Sequence, residues 1–312
     1  MELDLIIPAF NEADNLDNLY SAIVKSLNSI KYNLIFIDDG SVDETFKVLT
    51  NIYNKDKKHV KVIRFSRNFG KDAAIYAGLK NSKAKYACII DADLQQDPFL
   101  INDMIKVLEE KPDYDSVAMV NDYSNEFKLS KFLKKSFYWI MNHVSEQKFK
   151  AGASDFRLMR HSVVKSLVSM SENNRFTKGL FSWVGYNTYY MAYHAKKRTA
   201  GKSKFRLKKQ INYATDGLIN FSTKPLRIAT FLGSIISTFS LVYLIVVIIN
   251  AILSSTKIPQ YSTMMCVILL LGGIQLLVIG IMGEYISKSY IEAKNRPIYI
   301  EKSSLGFDDD IL

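Results

Sequence analysis

The chain has 312 residues, room for one large or two modest domains, and a mean hydropathy near neutral. Its two cysteines, Cys88 and Cys266, fall in a predicted strand and a predicted membrane helix, which argues against a disulfide framework or a cysteine metal site. The net charge of +10 is concentrated beside long apolar runs, so lipid or phosphate is the expected anionic partner and nucleic acid is not.

The N-terminal MELDLIIPAF has no basic head and breaks at Pro8, unlike a signal peptide. LDLIIPA (3–9) reads as a strand, followed by a helix over 15–28 and a second strand, NLIFIDD (33–39). A helix over 43–53, capped by Asp43, a strand over 60–65, a helix over 71–81 and a strand over 86–91 continue the alternation. SVAMV (116–120) adds a fifth strand. Such alternation predicts a mostly parallel, doubly wound α/β sheet. Ligands then bind beyond the carboxyl ends of the strands. Asn11 and Glu12, Asp38 and Asp39, residues 66–71, and Asp91 and Asp93 should therefore gather along one edge. No GxGxxG follows the first strand, which disfavours the usual dinucleotide site.

Farther along, KKRTAGKSKFRLKK (196–209) carries eight basic side chains and no acidic one. Ile211, Ala214, Leu218 and Phe221 then fall on one helical face, suited to lying along a membrane interface. Residues 228–256 and 258–283 lack any charge, and each run exceeds the ~20 residues that cross a bilayer. Lys257 and Pro259 separate them, predicting a two-helix membrane hairpin. Lys224, Arg227, Lys288, Lys294 and Arg296 flank it, so both termini are expected in the cytoplasm.

IIDADLQQDP (89–98) puts two carboxylates, Asp91 and Asp93, where an apolar strand runs out. Residues two apart on a strand point the same way, so the pair would repel without a cation between them. Mg2+ or Mn2+ suits such oxygen donors and completes its shell with substrate phosphate. DxD alone is a common triplet, and its position at a strand end is what gives it weight.

IIPAFNEADNL, FIDDGSVDET, RNFGKDAA, IIDADLQQDP, SDFRLMR, NRFTKGLFSWVG and RTAGKSKF occur in this order. Together they resemble the family 2 glycosyltransferases that load a sugar onto a polyprenyl phosphate, such as dolichol-phosphate mannose synthases and bacterial undecaprenyl-phosphate glucosyltransferases. The resemblance runs from about residue 3 to the end of the second apolar run. It implies a GT-A fold, Rossmann-like with a mostly parallel sheet, over residues 1–207. A juxtamembrane amphipathic helix (208–225), membrane helices (226–253 and 261–286) and a cytoplasmic tail (287–312) follow.

The resemblance also implies roles. Pro8, Ala9, Asn11 and Glu12 match the first donor loop, Asp38 and Asp39 the pair reading base and ribose, and Asp91 and Asp93 the metal carboxylates. Gln95 matches a polar neighbour of the diphosphate, and Lys71 either faces the donor phosphates or is a solvated cation at a helix start. Asp155 matches an acidic residue near the acceptor, Arg175 and Trp183 a pocket-shaping stretch, and Arg198, Lys202 and Lys204 the grip on the lipid phosphate. Catalytic duty falls on Asp93 and Asp155. Many relatives carry an arginine motif after the fifth strand. Here residues 119–130 lack arginine, leaving Lys128 or Lys131 as substitutes.

The expected reaction is inverting transfer of a hexose from a nucleotide-diphosphate sugar to polyprenyl phosphate at the cytoplasmic face of the plasma membrane. UDP-glucose leads as donor, ahead of UDP-N-acetylglucosamine, UDP-galactose and GDP-mannose. Membrane lipids, a homo-oligomer (a tetramer in relatives) and a separate flippase are the expected partners. A processive synthase is disfavoured by the absence of an Arg-Trp pair, and an inactive nucleotide-sugar sensor by the intact carboxylates.

Overall fold

The computed structural model describes residues 2–121, 150, 152–194, 222, 224–253 and 261–307. Among them, eight strands form one sheet: β1 (Leu3–Ala9), β2 (Tyr32–Asp38), β3 (Val60–Phe65), β4 (Tyr86–Ile89), β5 (Ser116–Asn121), β6 (Ala153–Arg160), β7 (Thr188–Tyr193) and β8 (Glu301–Leu305). Their order is β7-β5-β6-β4-β1-β2-β3-β8. β1 pairs in parallel with β2 and β4, β2 with β3, and β5 with β7. β6 runs antiparallel to both β4 and β5, and β8 antiparallel to β3.

The apolar runs read as strands because both faces of the sheet are covered. Leu3, Leu5 and Ile7 of β1 pack on one side with Leu16, Leu19 and Ile23 of α1 (Ala13–Ser26), Leu49 and Ile52 of α2 (Thr45–Lys55), and Met104 and Leu108 of α4 (Leu100–Glu110). Ile6, Ile35, Ile37 and Ile63 face the other side. There they meet Ala74, Ala77 and Leu79 of α3 (Lys71–Lys80), Val163 and Leu167 of α5 (His161–Ser169), and Leu180 and Phe181 of α6 (Thr177–Trp183). Gly78 lets α3 lie close on β1, since a Cβ there would meet Ile6 Cγ2 at 2.3 Å.

Helix ends moved by about a turn or less, for local reasons. The Asn15 amide donates to the Glu12 carbonyl, so α1 starts earlier than residue 15. Glu44, not Asp43, is the N-cap of α2, and Asp43 Oδ1 accepts the Thr45 amide at 3.1 Å from just outside the helix. Pro8 is tolerated inside β1 because the β4 pairing ends at Ile6, leaving no ladder partner for the missing N–H.

Two long helices, α7 (Lys224–Leu253) and α8 (Tyr261–Ala293), pack against each other beyond the sheet. Among the described residues one stretch, Leu270–Ala293, is long and apolar enough to cross a membrane. The other expected span, 226–253, yields only a shorter apolar stretch, Leu226–Ile236. The amphipathic helix expected over 208–225 lies outside the described residues except at its last positions.

The segment after α8 is not a tail. Ile298, Tyr299 and Phe307 pack against the α3–α5 side of the core, and β8 adds an edge strand with Val62 opposite Leu305 and Arg64 opposite Ser303. Tyr299 stacks on Phe65 at 4.8 Å between ring centroids. Residues 301–305 of the expected 287–312 tail therefore contribute a strand to the sheet.

Candidate active site

The carboxyl ends of β1, β2, β3 and β4 open onto one edge, as expected of a parallel sheet. β6 is antiparallel to β4, so its beginning, not its end, reaches the same edge. That reversal brings Asp155, 64 residues beyond Asp91, beside the β4 turn.

The β1 and β2 loops are laced together. Asn11 adopts a left-handed conformation (φ 54°), tolerated by its short polar side chain. Its amide donates to Ser41 Oγ at 3.0 Å, and its Oδ1 accepts the Val42 amide at 3.0 Å. The Glu12 amide donates to Thr45 Oγ1 at 2.9 Å, and the Glu12 carboxylate accepts from Asn15 Nδ2 at 2.7 Å. Pro8 and Ala9 lie in β1 just before this junction, with Ala9 buried.

Asp38 and Asp39 are both buried and both engaged within the protein. Asp38 Oδ1 accepts the Ser41 amide at 2.9 Å, and its Oδ2 lies 3.3 Å from Arg64 Nε, an ion pair not aligned as a hydrogen bond. Asp39 accepts from Asn68 Nδ2 (3.0 Å) and from the amides of Phe69 (2.7 Å) and Gly70 (3.0 Å). It thus pins the RNFG loop that leads into α3. Burial pushes its carboxyl up to about 6 against those donors. Gly40 is required here, because a Cβ would lie 2.2 Å from the Arg67 backbone and its φ is +65°.

The β4 turn carries the carboxylate pair. Asp91 and Gln96 form a reciprocal pair: the Asp91 amide donates to Gln96 Oε1 (2.9 Å), and Gln96 Nε2 donates to Asp91 Oδ2 (3.0 Å). The chain doubles back through Leu94 at φ 60°, a costly conformation for a branched residue and one often kept at functional sites. The Gln95 amide donates to Asp93 Oδ1 at 3.1 Å.

Lys71 joins the two sides of the cleft. Its ammonium lies 2.6 Å from Asp91 Oδ1 and 2.8 Å from Asp155 Oδ2. Burial disfavours its charge, but the Asp155 and Asp91 carboxylates outweigh that and hold its pKa above the ordinary lysine range. Burial likewise works against an ionised Asp155, yet Lys71, Lys178 and Arg157 keep its carboxyl below the usual range. Asp155 therefore sits among cations. Lys71 is thus paired with both carboxylates while its side chain stays 43% exposed to solvent.

Four further residues shape the site. Arg157, two positions along β6 from Asp155, is buried with its guanidinium 4.2 Å from the Phe181 ring, and burial lowers its pKa to about 10. Asp72 Oδ1 accepts the Thr177 amide at 3.1 Å, tying α3 to the start of α6, which also carries Lys178. Tyr193 ends β7 on the same edge, where burial raises its pKa and Asp91 and Asp93 add to the effect. Arg157, Asp72 and Lys178 fall within the quoted SDFRLMR, RNFGKDAA and NRFTKGLFSWVG without having been singled out, and Tyr193 had no sequence cue.

Arg175 points elsewhere. Its guanidinium donates to the carbonyls of Met170 and Leu167 and lies 4.5 Å from the Tyr76 ring, bracing the end of α5. Trp183 is 57% exposed at the end of α6. Arg198, Lys202, Lys204, Lys128 and Lys131 lie outside the described residues.

Asp91 and Asp93 fit a hard divalent cation in donor chemistry. No group of three or more His, Cys, Asp or Glu side chains forms a cage among the described residues.

A glycosyl transferase family 2 profile matches residues 4–168, more than half of the chain. The chain belongs to glycosyl transferase family 2. As a member of that family it is a glycosyltransferase enzyme, and a second profile, the GtrB C-terminal hairpin, matches residues 224–289. It is 37% identical to an uncharacterized glycosyltransferase of Synechocystis sp. over 99% of this chain and 97% of that one. It is 36% identical to the putative glycosyltransferase CsbB of Bacillus subtilis (97% and 92% covered) and to the bactoprenol glucosyl transferase of Shigella phage SfII (97% and 98%). Among solved structures it resembles glucosyl-3-phosphoglycerate synthase from Mycobacterium tuberculosis in complex with Mn2+, UDP and phosphoglyceric acid. That likeness has a TM-score of 0.51 at 15% identity, covering 70% of this chain and 76% of that one, and bears on the GT-A fold alone.

Proposed function

We propose that this family 2 glycosyltransferase moves glucose from UDP-glucose to polyprenyl (undecaprenyl) phosphate at the cytoplasmic face of the plasma membrane. One observation carries the chemistry: Asp91 on the donor side and Asp155 on the acceptor side meet across the Lys71 ammonium. The acceptor is suggested by relatives named bactoprenol glucosyl transferase that match along nearly the whole chain.

In this reaction a phosphate oxygen of the lipid attacks the anomeric carbon. The bond from that carbon to the UDP oxygen breaks, and its electron pair leaves with UDP. A single displacement inverts the centre, so an α-linked donor gives a β-linked lipid sugar. A phosphate monoester is largely a dianion at neutral pH, its second pKa being ~6, so the nucleophile needs little deprotonation. Asp155, held ionised by its cationic neighbours, accordingly stabilises positive charge on the sugar rather than acting as a strong base. Lys71 offsets the charge of Asp91 and Asp155 and stands beside the incoming phosphates. Mg2+ or Mn2+ held by Asp91 and Asp93 would supply neutralisation of the leaving diphosphate. Pro8, Ala9, Asn11, Glu12, Asp38, Asp39 and Gln95 are assigned to the donor, and Arg198, Lys202 and Lys204 to the acceptor phosphate.

Two membrane crossings, by α7 and α8, form part of the same proposal. β1 and β8 belong to one sheet, so the chain returns to the side it left, which favours an even number of crossings. The basic flanks favour the cytoplasm for that side. A homo-oligomer and a separate flippase for the product complete the picture.

A donor panel tests the assignment. Purified protein with Mn2+, undecaprenyl phosphate and labelled UDP-glucose, UDP-N-acetylglucosamine, UDP-galactose or GDP-mannose should yield a mild-acid-labile glycolipid, most from UDP-glucose. Preference for another donor reassigns the sugar. Absence of lipid product from every donor overturns the acceptor.

A further inference from the structure

Glu292 stands at the end of α8, outside the constellation described above, yet it is bonded to a segment that leads into it. Its Oε1 accepts the amides of Asn173 and Asn174, both at 2.9 Å, and its Oε2 lies 3.1 Å from the Asn173 amide. These amides belong to the link between α5 and α6, more than a hundred residues earlier in the chain. The same link runs on to Thr177, whose amide donates to Asp72. Asp72 adjoins Lys71, and Lys178 on the other side of Thr177 helps hold Asp155 ionised.

A second set of contacts fixes the same end of α8 independently. Tyr299 stacks on Phe65 and meets Tyr76 of α3 edge-on at 6.4 Å, and β8 then pairs with β3. The helix is thus clamped to the catalytic domain on both sides of its exit. Thirty-three residues make a helix of ~50 Å, against ~30 Å of hydrocarbon, and α8 is uncharged as far as Gly283, so within the proposed crossing its charged last turns, with Glu284, Lys288 and Glu292, extend past the bilayer core.

We propose that Glu292 is a positioning residue that ties the 171–176 link and α6 to the membrane-emergent end of α8, setting the height at which a bilayer-held prenyl phosphate meets Lys71 and Asp155. The proposal rests on the lipid-acceptor assignment above. A nucleotide sugar arrives from water and does not depend on that height. A phosphate tethered in the bilayer does, because its reach from the membrane surface is fixed by its chain.

The test uses full-length protein in liposomes containing undecaprenyl phosphate, with Mn2+ and labelled UDP-glucose, comparing wild type, Glu292→Ala and Glu292→Gln. Loss of a charge-assisted hydrogen bond should raise the acceptor KM of Glu292→Ala about tenfold. Its donor KM should stay within about twofold, the margin expected where no donor contact is lost. Glu292→Gln keeps one accepting oxygen and should show about a threefold rise, part of the same hydrogen-bond loss. It carries the test if Glu292→Ala does not fold. An unchanged acceptor KM in the folded variants overturns the proposal, as does an equal rise in both KM values, which would mean general loosening. If wild type forms no glycolipid, the lipid-acceptor assignment itself fails. If wild type forms it and the variants match it, only the role of Glu292 fails.

Discussion

The Lys71 ammonium lies 2.6 Å from Asp91 Oδ1, on the carboxylate assigned to the metal. In this state a protein cation occupies one side of a group that a divalent ion would also approach. Lys71→Met should therefore bind Mn2+ more tightly in the absence of donor, since nothing competes for Oδ1. Transfer should still fall about a hundredfold, the usual scale for losing one charge that stabilises a transition state. Mn2+ titration followed by electron paramagnetic resonance, beside a transfer assay, checks both. Weaker Mn2+ binding would show that Lys71 supports the metal instead.

Gln96 holds Asp91 through two hydrogen bonds and is itself buried. Gln96→Ala should leave the fold intact and cost about 10–100-fold in activity or metal affinity, as residues that orient a metal ligand do. The Mn2+ concentration giving half-maximal transfer should rise accordingly. Equal Mn2+ dependence in variant and wild type would make the pair merely structural.

Asp39 links stability to pH. Its folded pKa, about 6, lies above its ordinary value of 3.8, so the folded state holds the proton more tightly than the unfolded chain does. That contribution is complete below pH 3.8 and is lost as pH rises through about 6. The stability difference between wild type and Asp39→Asn, from urea titrations across this range, should move against wild type as pH rises. A flat difference would place the Asp39 carboxyl near its ordinary value.

Arg175 braces the end of α5 through backbone carbonyls. Arg175→Ala should destabilise the fold by about 1–3 kcal/mol, through buried carbonyls left without donors. Both substrate KM values should stay within about twofold, because no substrate contact is removed. A selective rise in acceptor KM would restore the pocket role that the motif resemblance implies.

The parallel half of the sheet was legible because its strands are largely buried on both faces and read as mostly apolar runs, LDLIIPA with one buried Asp4 and VKVIRF with Lys61 and Arg64 half-exposed. β6 was not, since SDFRLMR places a charged Asp155 and Arg157 on a strand, and Phe181, Thr188 and the Asp155 carboxylate together accommodate that cation. β8 was hidden for the opposite reason. EKSSL is polar and mostly exposed, and its strand character comes from the free edge of β3, a tertiary partner more than 200 residues away. The Asp91 and Asp93 pair stood out as charges ending an apolar strand. Gln95 was read as a neighbour of the diphosphate, whereas Gln96, which pins Asp91 through two hydrogen bonds, was not singled out. Asp38 and Asp39 drew attention as carboxylates at a strand end, whereas their internal donors, Ser41, Phe69 and Gly70, are loop amides that residue types do not reveal.

The most direct test of lipid-phosphate attack is the structure of the product. Protein supplied with undecaprenyl phosphate and UDP-glucose carrying carbon-13 at the anomeric position should give a glycolipid whose labelled carbon couples to the lipid phosphorus, in the β configuration. An α-linked product would contradict single displacement. Labelled glucose released free, with no phosphorus coupling, would contradict the prenyl phosphate as nucleophile.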